Sequence, residues 1–206
     1  MLTGIFALYT LIILLGETTA GDTGRIALLG FLLWTSTRLR SDKRLRWWAI
    51  ALGIAAVAVV AVLSAIASAR VIYGAVGACS LVLIAAAMAT IVSTLVERRR
   101  VDTSAVLGVL CVYLLLALLF ASMHQMFASF STDYLNGASD PPSPSDLLYF
   151  SVITLTTVGF GDITPASRLA RAVSVTEALT GQLYLVSVVA GVVGGWRSAS
   201  SHDPPR

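Results

Sequence analysis

Charged side chains are scarce in this sequence: 12% of its 206 residues are Asp, Glu, Lys or Arg, while 57% are hydrophobic. A soluble domain carries about a quarter charged residues, so the chain lacks the solvating surface of an ordinary soluble globular protein. Cysteine and histidine are nearly absent, at two residues each. Cys79 and Cys111 both fall inside apolar runs. A free thiol there acts as a small hydrophobe, and neither a disulfide nor a cysteine metal site is expected. His124 has no cluster of ligand-type residues around it in the sequence, which speaks against a metal centre. It reads as an ordinary hydrogen-bonded histidine ahead of a pH sensor. No phosphate-cradling P-loop motif is present. The N-terminus lacks the basic start and small-residue cleavage pattern of a secretory signal, so its first apolar run is expected to be retained.

What the chain has instead is long apolar runs, with a mean hydropathy of +0.85. A membrane-crossing helix needs about 20 mostly apolar residues. The clear candidates are Trp47–Ala69, Val71–Val96, Ser104–Phe130 and Leu169–Gly195. Within Met1–Thr37 the apolar stretch Leu2–Gly16 is followed by polar "ETTAGDTGR" (Glu17–Arg25) and then by Ile26–Trp34. One helix through all of this would carry charges into hydrocarbon at roughly 2.5–3.5 kcal/mol each near the centre. Two short spans joined by a polar loop avoid that cost, giving about six spans in all. The basic loops "RLRSDKRLR" (Arg38–Arg46) and "ERRR" (Glu97–Arg100) are separated by two spans, so both fit the cytoplasmic side. Both chain ends are then cytoplasmic, with Trp47 and Trp48 in an interfacial belt. The net charge of +3 and pI near 9.1 come from these loops and do not require a nucleic-acid partner. Arg38–Arg46 serves as a topology signal, with anionic lipid headgroups as its other reading. Small residues crowd the third and fourth spans and suggest close helix contact.

After the fifth span comes a polar, turn-rich stretch, Ser131–Asp146, and then Leu147–Thr156, which is apolar but too short to cross a bilayer. Ser143-Pro144-Ser145-Asp146 is a helix start: a Ser cap, Pro at the first helical position and an acid three residues beyond the cap. The short helix would run inward and stop at "TTVGFGD" (Thr156–Asp162). A glycine-containing stretch at membrane depth is tolerated where it lines a pore. The C-terminal "RSASSHDPPR" is expected to be a disordered tail, with no soluble regulatory domain attached.

Span, outer loop, half-helix, "TTVGFGD" and a second span together resemble the pore module of potassium channels over about Ser104–Gly195. The resemblance implies an all-α membrane protein of about six transmembrane helices with a re-entrant pore helix and an extended selectivity filter. Its domains would be 1–100, an N-terminal membrane domain of about four spans, 101–196, the pore domain, and 197–206, the tail. By this resemblance the carbonyls of Thr157, Val158, Gly159 and Phe160, with the Thr157 hydroxyl, bind potassium ions. Gly159 and Gly161 permit the alternating backbone, since glycine enters left-handed conformations readily. Thr156 supports the filter, and Asp162 sits at its outer mouth. Phe160 stands where tyrosine is commoner. Tyr149 and Phe150 occupy positions that often hold tryptophan, and Ile153 supplies no acidic partner for Asp162. A closed ring of carbonyls needs about four such segments, hence a homotetramer.

Gly181 follows Asp162 at the spacing of the family's inner-helix hinge, and close helix packing is its other reading. Glu177 is a carboxylate inside the last span: it either lines the pore or pairs with a hydroxyl behind the filter. Val71–Val96 carries no basic residue, so a conventional voltage sensor is absent from the fourth span. The expectation is a passive, potassium-selective channel subunit of the plasma membrane with lipid as its surroundings. It is no enzyme and has no cofactor apart from potassium in the filter; no soluble ligand is inferred. The rival readings are a weakly selective cation channel and a non-conducting accessory or transporter subunit.

Overall fold

The computed structural model describes Ile5, Thr10 and residues 43–97 and 103–200. The two spans expected before Thr37, the loop at 38–42, Arg98–Arg100 and residues 201–206 lie outside the described residues. Within residues 43–97 and 103–200, five helices and one small strand pair follow in order: α1 (Lys43–Ile66), α2 (Ala69–Glu97), α3 (Thr103–Ala128), β1 (Leu135–Asn136), α4 (Pro144–Leu155), β2 (Thr164–Pro165) and α5 (Arg168–Ser200). Ala69–Leu95 and Val106–Ala128 are long and apolar enough to cross a membrane, and Ile50–Ile66 is a shorter apolar helix. α1 begins earlier than its apolar run, because helical backbone continues through the basic residues preceding Trp47. α5 is 33 residues long, but Thr176, Glu177, Thr180 and Gln182 interrupt its apolar character.

The α1–α2 connection is abrupt. Ala67 donates to the Leu63 carbonyl, while Val71 and Ile72 already donate to the Ser68 carbonyl, so one helix ends and the next begins within two residues. α2 and α3 run antiparallel in close contact. Gly74 faces Ser129, Gly77 faces Met126 and Gly108 faces Leu95, with positions falling along one helix as they rise along the other. A Cβ on Gly77 would lie 2.7 Å from the Met126 backbone nitrogen, which is why small residues let these helices approach.

α4 starts as its local signals dictate. Ser143 is extended, its Oγ accepts from the Asp146 N–H at 3.1 Å, Pro144 opens the helix and Asp146 lies in the first turn. Its buried face is Leu147, Leu148, Phe150, Ser151, Ile153 and Leu155, packed between α3 and α5. α5 starts with the Ala170 N–H donating to Ser167 Oγ at 3.0 Å.

The loop between α3 and α4 is tied on two sides. β1 pairs antiparallel with β2, Leu135 opposite Pro165 and Asn136 opposite Thr164. Tyr134 offers its carbonyl to the N–H groups of Ala166 and Ser167. Gly137 has a φ of +82°, and any Cβ there would run into the Asp162 carbonyl. On the other side, Arg70 at the start of α2 donates twice to Asp140 at 3.0 and 3.1 Å. The Tyr73 hydroxyl donates to the Pro142 carbonyl at 2.6 Å. The ion pair is partly exposed and contributes about 1 kcal/mol at most; its role is to hold the approach to α4.

Candidate functional site

The segment after α4 is built by redirecting its amide donors. The N–H of Thr156 donates to Val152, that of Thr157 to Thr154, and those of Val158 and Gly159 both to Ile153, at 2.9–3.2 Å. Four successive donors are thus spent on the open carbonyls at the end of a helix. Thr157, Gly159 and Gly161 have positive φ values of 59°, 52° and 82°, while Val158 and Phe160 between them do not. Glycine takes this conformation without penalty. For Thr157 it costs about 1–2 kcal/mol, and its hydroxyl is held by Gln182 Nε2 of α5 at 3.3 Å. No backbone–backbone bond among the described residues is accepted by the carbonyls of Thr157, Val158, Gly159 or Phe160. A row of oxygens without amide partners beside a fixed helix end is chemically suited to replace the water around a cation.

Val158 and Phe160 are 53% and 70% exposed on the single chain. Phe160 lies parallel to the Tyr149 ring, with centroids 6.4 Å apart and 4° between planes. The Tyr149 hydroxyl donates to Asp162 Oδ2 at 2.8 Å. One tyrosine of α4 therefore touches both the aromatic residue of the segment and the carboxylate that ends it. That hydrogen bond, helped by nearby backbone N–H groups, holds the Asp162 carboxyl below its ordinary range. The shift is downward, so its stabilising effect is present above the ordinary carboxylate range and is lost as pH falls through the folded value. Tyr149→Phe is expected to move the Asp162 titration upward in a carbon-detected NMR pH series; an unmoved titration would refute the coupling.

Glu177 and His124 are fully buried. Glu177 pairs with Ser151 of α4 and with His124 of α3, which places it among three helices and matches the reading in which it pairs with a hydroxyl. Gly181 lies against α4: a Cβ there would meet the Leu155 carbonyl and come within 2.9 Å of Leu155 Cδ1. The Tyr113 hydroxyl donates to the same carbonyl at 3.3 Å. Further along α5, Tyr184 stacks on Tyr113 and donates to the Val109 carbonyl at 2.6 Å. Among the described residues no group of three or more His, Cys, Asp or Glu could hold a metal ion.

Tyr149, Ser151, His124 and Gln182 acquire partners that their neighbours in sequence do not announce. The usable signal is a polar side chain inside an apolar run, since burial obliges it to find a partner. Glu177 and Gln182 both carry it.

Residues 108–194 match the ion-channel family. That stretch, less than half of the chain, runs from α3 through the redirected segment into α5. Two curated proteins are similar over part of the chain. One is "Two pore potassium channel c" of Oryza sativa subsp. japonica, 32% identical over 85 residues, 41% of this chain and 19% of that protein. Another is "Voltage-gated potassium channel" of Aeropyrum pernix, 32% identical over 65 residues, 32% of this chain and 22% of that protein. The chain matches only about a fifth of the length of these relatives. The apolar helices and this match together describe a helical membrane protein, residues 108–194 of which are similar to the ion-channel family.

Proposed function

We propose that this chain is one subunit of a potassium-selective channel in the plasma membrane, a homotetramer whose four filter segments close around one axis. Potassium ions pass down their gradient, dehydrated by the carbonyls of Thr157, Val158, Gly159 and Phe160 and by the Thr157 hydroxyl. α4 is the re-entrant pore helix, its C-terminal end favourable to a cation in the cavity below. α3 is the outer helix and α5 the inner helix. Gly161 permits the last turn of the filter, Thr156 supports its lower end and Asp162 draws cations to the outer mouth.

The observation that carries this reading is the alternation of left-handed φ at 157, 159 and 161 with the amides folded back onto α4. The ion-channel match and the two potassium-channel relatives support it. The exposed faces of Val158 and Phe160, and of Leu179, Leu183 and Val186 on α5, suit contact with further copies of the chain. Transport is passive and needs no cofactor apart from the permeant ion. About six spans, cytoplasmic ends and a lipid surround complete the proposal. α2 contains one basic residue, Arg70, engaged by Asp140, so this helix lacks the repeated charges that voltage sensing needs.

Single-channel recording in planar bilayers with ion substitution is the test. Reversal potentials that follow potassium and ignore sodium are expected. Equal permeability for the two ions would replace selectivity with general cation conduction, and silent bilayers would favour an accessory role.

A further inference from the structure

Four buried polar groups from different parts of the chain form one unbroken line. The Tyr134 hydroxyl meets His124 Nδ1 at 2.9 Å, and His124 Nε2 meets Glu177 Oε2 at 3.1 Å. Glu177 Oε1 meets Ser151 Oγ, and Ser151 Oγ meets the Ala117 carbonyl at 2.8 Å. The first residue belongs to the outer loop, His124 and Ala117 to α3, Glu177 to α5 and Ser151 to α4. Tyr134, His124, Glu177 and Ser151 are all almost fully buried. Phe150 and Tyr134 set their rings edge-on to the imidazole, at 5.2 and 5.7 Å.

Each of these four contacts needs one proton, and the inventory of donors decides where the protons sit. The Ala117 carbonyl can only accept, so the single Ser151 proton points to it. Ser151 Oγ then faces Glu177 Oε1 as an acceptor, and the proton in that contact must come from the carboxyl group. Glu177 Oε2 is left to accept from His124 Nε2–H, and Nδ1, bare in that tautomer, accepts from the Tyr134 hydroxyl. One direction of donation, from Tyr134 to Ala117, satisfies every contact with every group neutral. An imidazolium–carboxylate pair fails the same count. His124 would donate from both nitrogens, leaving the Tyr134 proton without an acceptor among the described residues, and Ser151 could serve Glu177 or Ala117 but not both. Burying two charges at membrane depth is also costly.

We infer that Glu177 is an uncharged carboxylic acid that donates to Ser151, a positioning residue in a neutral hydrogen-bonded brace fixing α4 between the outer and inner helices. The brace acts on the filter through α4, whose last carbonyls receive the amides of Thr156, Thr157, Val158 and Gly159. The ionisable groups facing Glu177 are His124 from α3 and Tyr134 from the loop; α4 offers only the Ser151 hydroxyl.

Infrared spectroscopy of the reconstituted full chain tests the protonation state directly. A carbonyl stretch of a protonated carboxyl is expected near neutral pH and should vanish in Glu177→Gln; finding only ionised carboxylate bands would overturn the inference. The substitutions give a second readout, which rests on the channel reading. Glutamine can donate to Ser151 and accept from His124, leaving one spare N–H, so potassium flux should stay within about tenfold of the wild type. Glu177→Ala strands both partners beside a void, and flux should fall by more than about a hundredfold. Glutamine as damaging as alanine would identify an ion pair and sink the neutral brace. A wild-type protein without flux refutes the channel reading, and the infrared result then decides this one.

Discussion

Gly159→Ala is expected to abolish selective potassium flux while Gly191→Ala leaves it intact. Both glycines have open space where a Cβ would point on the single chain, with no atom outside their own local backbone and chain neighbours within 4 Å. They differ in backbone: Gly159 has a φ of +52°, and Gly191 lies in the regular helix α5. An alanine held in the left-handed region costs about 1–2 kcal/mol per residue. The chain can escape that cost by rotating the adjacent peptide, which would turn a carbonyl away from the proposed pore axis. In the proposed four-fold ring the strain would recur in every subunit, so the potassium-to-sodium permeability ratio should drop by more than about tenfold. At Gly191 alanine relieves a helix of a residue that disfavours it, by about 1 kcal/mol. Reversal potentials of the two variants in mixed potassium and sodium provide the comparison. Wild-type selectivity in Gly159→Ala would remove the backbone-ligand mechanism.

Gly181→Val is the second large effect, and its cause is contact. The first side-chain carbon at this position meets the Leu155 carbonyl, at the end of α4, onto which the proposed filter segment folds. Overpacking of this kind costs about 1–3 kcal/mol, and a β-branched side chain has few rotamers with which to avoid it. α5 must move off α4, which also pulls on Gln182, the partner of the Thr157 hydroxyl. Loss of both flux and thermal stability of the detergent-purified assembly is expected. The hinge reading of Gly181 makes a different forecast: open probability changes while the melting temperature stays. Measuring both quantities on Gly181→Ala and Gly181→Val separates the two.

The parts legible from sequence are those whose causes are local. Ser143, Pro144 and Asp146 start α4 where the capping pattern puts them, because the cap is satisfied within three residues. The apolar runs located α2 and α3, since length and composition alone suffice there. Gly159 and Gly161 marked the backbone positions that take positive φ. Thr157 takes one as well, which its residue type does not suggest, because the fold of the amides onto Ile153 and Thr154 imposes it. What stayed hidden is separation along the chain. Tyr149 and Asp162 are 13 residues apart, Thr157 and Gln182 are 25, and His124 and Glu177 are 53. No helical period links such pairs; only the docking of α4 between α3 and α5 does. For Glu177 the sequence left two readings, lining the pore or pairing with a hydroxyl, and pointed to neither Ser151 nor His124 by number.

The pairing of β1 with β2 has a consequence for the order in which the protein is made. Leu135 leaves the ribosome well before Pro165, and Ser151 well before Glu177. Until Thr164–Ser167 and the first turns of α5 have emerged, the loop after α3 lacks its strand partner, and α4 lacks Glu177 and Gly181 to seat against. The segment 156–162 cannot take its final shape during its own synthesis. It is finished by residues translated after it, so the segment proposed to hold the ion is among the last to become ordered.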